Sequence, residues 1–186
     1  MQGLEVGVRV YAENVRTGAR AVTLNSHLVL VAVDGDGKPR PVADKIVPKD
    51  GQEAAIVEAA RQRREQRLQR LASRVARKAE QVSDVATEQG DLRWRFESAR
   101  AVLPEDALFG SMMFAGKLLR DIDEAGGILS MRYCRGFVMT ACVDALDFYA
   151  PIATHEVVTF KGGLNHVGTS SLEIGVKVLA EVPWTG

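Results

Sequence analysis

Three carboxylates, Asp121, Asp123 and Glu124, fall within one stretch, SMMFAGKLLRDIDEAGGILSMRY, residues 111–133. A carboxylate on a half-buried helix can have its proton affinity tuned by desolvation and neighbouring charge, and so can serve as a general base. Asp121 stands near Lys117 and Arg120 and reads as a solvated surface charge. Asp123 follows Ile122 of an apolar stripe and precedes Gly126 and Gly127, which sets it at the edge of that stripe. Glu124 is the second candidate. The plainer alternative for both is a hydrogen bond across a dimer interface. Other chemistries fit poorly. None of His27, His155 and His166 neighbours a Ser or Cys in a nucleophile-elbow pattern. GDGKP, residues 35–39, is too short for a phosphate-binding loop. Cys134 and Cys142 match no structural zinc spacing, so no metal is expected and both thiols should be reduced and partly buried.

The elements that must position these groups can be read from periodicity. Residues 3–13 alternate Leu4, Val6, Val8 and Val10 against Glu5, Gly7 and Arg9, the pattern of a half-buried strand. Residues 14–20 are a turn, and 21–33 a second, β-branched strand, so the pair predicts an antiparallel hairpin. His27 falls on the face opposite Leu24, Leu28 and Leu30. Residues 53–82 lack Gly and Pro and predict one long basic amphipathic helix, with Ile56, Val57, Ala60, Arg64, Leu68, Leu71, Val75 and Ala79 along a narrow stripe. Its basic face suits an anion, but a solvated packing helix fits the neutral chain better. A strand is expected over 91–103, with Leu92, Trp94 and Phe96 on one side. Residues 111–133 form the apolar helix, its stripe being Phe114, Leu118, Ile122, Ala125 and Leu129. Its small residues would let a sheet wrap closely. Further strands are expected over 136–149, 155–164 and 170–183.

The two ends of the chain repeat each other. Residues 4–18 read LEVGVRVYAENVRTG and residues 172–186 read LEIGVKVLAEVPWTG, identical at nine of fifteen positions. The first copy runs on into a second strand. This predicts the back half of one unit (1–45), a linker (46–90) and the front half of another (91–186), which together make about one domain in permuted order.

In that order the chain reads strand, small-residue helix, then four strands. PEDALFGSMMFAGKLLRDIDEAGGIL (104–129), FVMTACVDALDFYAPI (137–152), VGTSSLEIGVKV (167–178) and NSHLVLVAVDGDGKPRPV (25–42) resemble four motifs of the cytosolic, brain-type acyl-CoA thioesterases. The resemblance implies an α+β hotdog fold, an antiparallel sheet wrapped around a central helix. Here it would be circularly permuted, with the long helix as an added linker. It also implies hydrolysis of fatty acyl-CoA to fatty acid and CoA, with coenzyme A entering only as part of the substrate. A homo-oligomer is implied too, a dimer of hotdogs or a trimer of dimers, with the thioester bound between subunits.

On that resemblance Asp123 aligns with the catalytic Asp of the family's Met-Asp-Glu. The family's Gly-Gly becomes Ala115-Gly116. Thr140, Thr169, Ser170 and Ser171 fall where the substrate would bind, and Arg132 and Arg135 are candidate phosphate partners. One position departs: the family's Asn is here Leu108, which cannot hydrogen-bond. Asp106, Asn25 or a neighbouring subunit would have to supply the polar group. The alternative is a catalytically weak or inactive acyl-CoA-binding protein of the same fold.

Composition bounds these expectations. Lys and Arg number 24 and Asp and Glu 24, so the basic excess of a nucleic-acid footprint is missing. An apolar fraction of 46% with 26% charged suits a folded globular chain of one ordinary domain rather than a disordered one. No apolar run is long enough to span a bilayer. The N-terminal residues lack signal-peptide character, so a reducing cytoplasm is the expected setting.

Overall fold

The structure, a computed structural model, describes residues 3–35, 38–78, 94–144 and 146–185. The chain divides into two compact units, Met1–Arg77 and Lys78–Gly186.

The first unit is a hairpin with a helix. Strand β1, Leu4–Glu13, pairs antiparallel with β2, Arg20–Leu30, and Asn14, Thr17 and Gly18 close the turn. Period-2 alternation puts Leu4, Val6, Val8, Val10, Leu24, Leu28 and Leu30 on one face. That face is open: Leu24, Leu28 and Leu30 are each about half exposed. His27 pairs with Gly7 on the opposite face, as its register predicts. Helix α1, Gly51–Lys78, starts on a capping arrangement. Asp50 Oδ1 accepts from Glu53 N–H at 2.8 Å, and Glu53 Oε2 accepts from Lys49 N–H at 2.7 Å. The helix turns a different face inward from the expected stripe. Ile56, Arg64 and Leu68 are exposed, while Val57, Ala60, Arg63, Arg67 and Leu71 are half-buried. The reason is electrostatic. The Glu5 carboxylate, on the polar face of β1, draws Arg63 to 2.6 Å and Arg67 to 3.7 Å, and their stems follow.

The second unit positions the candidate site. Strand β3 is Arg95–Ala101, shorter than expected; of the predicted inward trio, Leu92 lies outside the described residues. A 3-10 turn, Pro104–Asp106, leads to the short strands β4, Ala107–Phe109, and β5, Met112–Met113. Helix α2 is Ala115–Cys134, followed by β6, Val157–Val167, and β7, Leu172–Glu181. The larger sheet runs β3-β6-β7, antiparallel throughout. His166 lies in β6 rather than in a turn. Strand β6 alternates cleanly, with Val158, Phe160 and Gly162 buried. Val158 and Phe160 form a core with Val102 and with Leu118 of α2, and Met113, Ile122, Ile152 and Val178 pack on it. Ladder bonds from Met113 to Ile152 (2.8 Å) and from Thr154 to Ser111 (2.8 Å) fix the start of α2, and Trp94 meets Tyr133 edge-on at its end, 5.1 Å between centroids.

Two expectations are corrected here. Residues 137–144 and 146–149 form no strand despite their alternating sequence. An extended segment becomes a strand only when a neighbour accepts its backbone hydrogen bonds, and none does so here among the described residues. The small residues of α2 also act differently from the expected close sheet contact. A Cβ at Gly126 or Gly127 meets nothing within 4 Å, whereas one at Gly116 would strike the Phe114 ring at 2.6 Å. It is the Phe114 ring at the helix start, not the sheet, that lies closest there.

Truncation of the core should separate the two helices' roles. Leu118→Ala should cost about 2–5 kcal/mol of unfolding free energy, measured by urea titration. Ile56→Ala, on the exposed side of α1, should change it by less than about 0.5 kcal/mol.

Candidate active site

Helix α2 is held at Leu118 and Ile122, so its remaining faces follow from the 3.6-residue period. Gly116, Leu119, Arg120 and Asp123 stand at i, i+3, i+4 and i+7 and share one face. Together with Thr140 and Val143 from the segment after the helix, they line a cavity of about 440 Å³. The Thr140 hydroxyl donates to Asp123 Oδ1 at 2.5 Å. A charge-assisted bond of that length orients the carboxylate. Arg120 places a cation on the same wall, with its guanidinium 3.3 Å from Asp121.

A second charge cluster lies behind the helix. Arg100 of β3 bonds to Asp106 Oδ2 and to Asp121 Oδ2, each at 2.6 Å. Asp106 is only 5% exposed. Its Oδ2 also accepts from Leu103 N–H at 2.9 Å, and Lys117 Nζ lies 3.8 Å from its Oδ1. Arg100 holds the Asp106 carboxyl below the usual carboxylate range, against the opposing effect of burial, with help from the Leu103 amide. Asp106 in turn raises the proton affinity of Arg100. Asp121 differs from its expected state as a solvated charge: its side chain is 12% exposed and ties α2 to β3 through Arg100.

The structure therefore brings together three residues singled out by sequence, Asp123, Thr140 and Gly116. Glu124 is exposed one position further round α2 and is not among the cavity's lining residues. Arg132 and Arg135 are exposed at the helix end, Arg135 as its left-handed cap with φ 53°. Thr169, Ser170 and Ser171 sit exposed in the β6–β7 turn, where Gly168 N–H bonds to Ser171 O at 2.8 Å. Asn25 lies in the first unit and accepts from Arg9 at 2.9 Å. Leu108, at the departed position, is 58% exposed. Leu119, Arg120 and Val143 were not anticipated. The two on α2 were available from helical spacing, since both lie within one turn of Asp123.

Both cysteines are free and exposed rather than partly buried. Asp144, 3.4 Å from Cys142 Sγ, raises that thiol above its ordinary value and so disfavours a thiolate. Among the described residues there is no group of three or more His, Cys, Asp or Glu side chains that could hold a metal. No described helix is long and apolar enough to cross a membrane.

Residues 110–183 match the thioesterase superfamily. The matched region contains α2, β6 and β7, and with them Arg120, Asp123 and Thr140. Its antiparallel sheet packed on one helix is the hotdog arrangement. An uncharacterised acyl-CoA thioester hydrolase of Bacillus subtilis is 39% identical over 85 residues, which is 46% of this chain and 49% of that protein. The human cytosolic acyl coenzyme A thioester hydrolase is 29% identical over 183 residues, covering 96% of this chain and 47% of that protein. A crystal structure of an acyl-CoA hydrolase from Agrobacterium tumefaciens is 28% identical and aligns with a TM-score of 0.49, over 53% of this chain and 40% of that one. The chain spans about half the length of the curated relatives it matches.

The Asp106 cluster sets an acid limit on stability. A carboxyl whose folded pKa is depressed contributes stability that is complete above its unfolded value, about 3.9 for Asp, and lost as pH falls through that value toward the folded one. The urea midpoint of the unsubstituted protein should therefore drop as pH falls below about 4.5, more steeply than that of Asp106→Asn. At pH 7 the Asn variant should be less stable by about 1–3 kcal/mol.

Proposed function

We propose that this chain hydrolyses acyl-CoA thioesters and that Asp123 is the general base. The observation that carries this is the Thr140–Asp123 hydrogen bond of 2.5 Å inside a cavity that also presents Arg120. The names of the relatives, thioester hydrolases acting on acyl-CoA, supply the substrate class. The human relative's match runs through both units of this chain, which supports a half-unit order shared with that relative.

In this reading Thr140 holds one carboxylate oxygen while the other takes a proton from water. That water attacks the thioester carbonyl, the C–S bond breaks, and the leaving CoA thiolate takes the proton from Asp123, which restores the carboxylate. The developing oxyanion needs preorganised donors. Gly116 is the second residue of α2, so its N–H belongs to the first turn, which has no partner within the helix. Arg120 offers the cavity's positive charge to the phosphates of CoA. Leu119 and Val143 suit the acyl chain beside the reacting carbonyl. Asp106, tied to Arg100 and Leu103, serves as a strut for the helix start rather than as a base. Arg132, Arg135, Thr169, Ser170 and Ser171, which are not among the cavity's lining residues, would serve the substrate through a subunit arrangement such as a dimer, or a trimer of dimers. The setting we infer is cytoplasmic, in keeping with the relative's name.

Release of free CoA from palmitoyl-CoA, followed with a thiol reagent, tests this. Asp123→Asn should lower kcat by about 10²–10⁴-fold. Thr140→Ala should lower kcat with little change in KM, since it orients the base. Glu124→Gln should leave the rate within about twofold, a difference of under 0.5 kcal/mol in barrier. A fully active Asp123→Asn protein would sink the assignment.

A further inference from the structure

The terminal repeat places two nearly identical strands in two different situations. Strand β1 has a mate, β2, while the outer edge of β7 carries none among the described residues. The backbone bonds show that β1 and β7 present the same edge. Beside β1, Asn14 N–H donates to Ala19 O at 2.9 Å, and the Thr23 hydroxyl reaches Val10 O at 3.2 Å. In an antiparallel ladder alternate residues direct both backbone groups to the same side, so Val6, Val8, Val10 and Ala12 point toward β2. Beside β6, Leu164 N–H bonds Trp94 O at 3.2 Å and Val102 N–H bonds Glu156 O at 2.9 Å, so even residues of β6 face β3 and odd ones face β7. Those odd residues pair with Gly175, Lys177, Leu179 and Glu181. Ile174, Val176, Val178 and Ala180 therefore point outward, and they are the repeat's counterparts of Val6, Val8, Val10 and Ala12.

We propose that the outer edge of β7 takes strand β2 of a second copy of this chain, in the register that β1 uses. Leu30, Leu28, Asn25 and Leu24 then stand opposite Leu172, Ile174, Lys177 and Val178, the counterparts of their present partners Leu4, Val6, Arg9 and Val10. Lys177 keeps a cationic donor where Arg9 now serves Asn25 at 2.9 Å. Hydrogen bonding alone does not favour β7 over β1, because the two edges are alike. Apolar burial does. In the hairpin Leu24, Leu28 and Leu30 lie on an open face, each at least 51% exposed. On β7 they would share the face of Ile174 and Val178, and Val178 already packs on the core that contains Leu118 of α2. Reciprocal exchange leaves each copy with one donated and one received strand, so two copies close on themselves, with the edge of β7 covered in exchange for that of β1.

Disulfide trapping tests this. Arg9 and Asn25 form a pair without direct ladder bonds, where Cα atoms lie closest, so the matching intermolecular pair is Asn25 with Lys177. In proteins carrying Cys134→Ser and Cys142→Ser, one batch receives Asn25→Cys and a second, differently tagged, receives Lys177→Cys. Mixed in a glutathione buffer, the two should form a disulfide-linked heterodimer at least about tenfold more abundant than with Val176→Cys, whose side chain points to the other face. Equal yields, or no heterodimer, overturn the proposal. So does a link that forms only at monomer mass when both substitutions share one chain, which would make the donor the chain's own β2. As a check on the unsubstituted protein, a fluorescent peptide of residues 19–33 should bind with saturable anisotropy, and the same peptide with Leu24, Leu28 and Leu30 replaced by Ser should not. Equal behaviour of the two peptides overturns the proposal as well.

Discussion

Leu118 and Ile122 of α2, clustered with Val158 and Phe160 of β6, set the rotation of the helix about its own axis, and the site inherits its geometry from that contact. Asp123 follows Ile122 directly, so it lies about 100° round from the buried face, outside the core but within about one turn of Leu119 and Arg120 and two turns from Gly116 on the same face. A core contact can thus place a polar group it never touches. The same contact explains why Asp123 and Glu124, adjacent in sequence, have different surroundings: only one of them lies on the face that closes against Thr140 and Val143.

Charge works at two levels of burial. Behind the helix, Arg100 joins Asp106 and Asp121, tying β3, the turn before α2 and α2 itself into one unit. With Asp106 nearly fully buried, loss of its partner would leave an uncompensated charge, so the cluster constrains geometry more than it adds net stability. On the solvent side, the Thr140–Asp123 pair is exposed and light, and holds only the orientation of one carboxylate. The scaffold keeps its strong ion pairs for positioning and leaves the Asp123 carboxylate with a single hydroxyl. In the first unit Glu5 does similar work, turning α1 until Arg63 and Arg67 face the hairpin.

Backbone pairing is the constraint that decides which alternating sequences become strands. Strands β1, β2, β3, β6 and β7 each have a ladder partner. Residues 137–144 and 146–149 carry a comparable pattern and have none among the described residues, so they stay irregular although Phe137 and Met139 are almost fully exposed. A side-chain pattern states which face would be buried; it does not provide the neighbour that accepts the hydrogen bonds.

Local pattern sufficed for the hairpin, both long helices, β6 and β7, and for Asp123 at the edge of the apolar stripe, because each depends on periodicity within a few residues. The repeat of 4–18 in 172–186 was equally open to inspection. Tertiary structure alone decided that Asp121 is half-buried rather than solvated, that Arg63 and Arg67 turn inward while Arg64 does not, and that Thr140 meets Asp123 while Thr169, Ser170 and Ser171 stay in an exposed turn. Each of those outcomes depends on a partner distant in sequence: Arg100 for Asp121, Glu5 for the arginines, and the path of the chain after α2 for Thr140. Periodicity carries no information about such partners, because it is fixed by the backbone's own repeat and not by what the fold brings beside it.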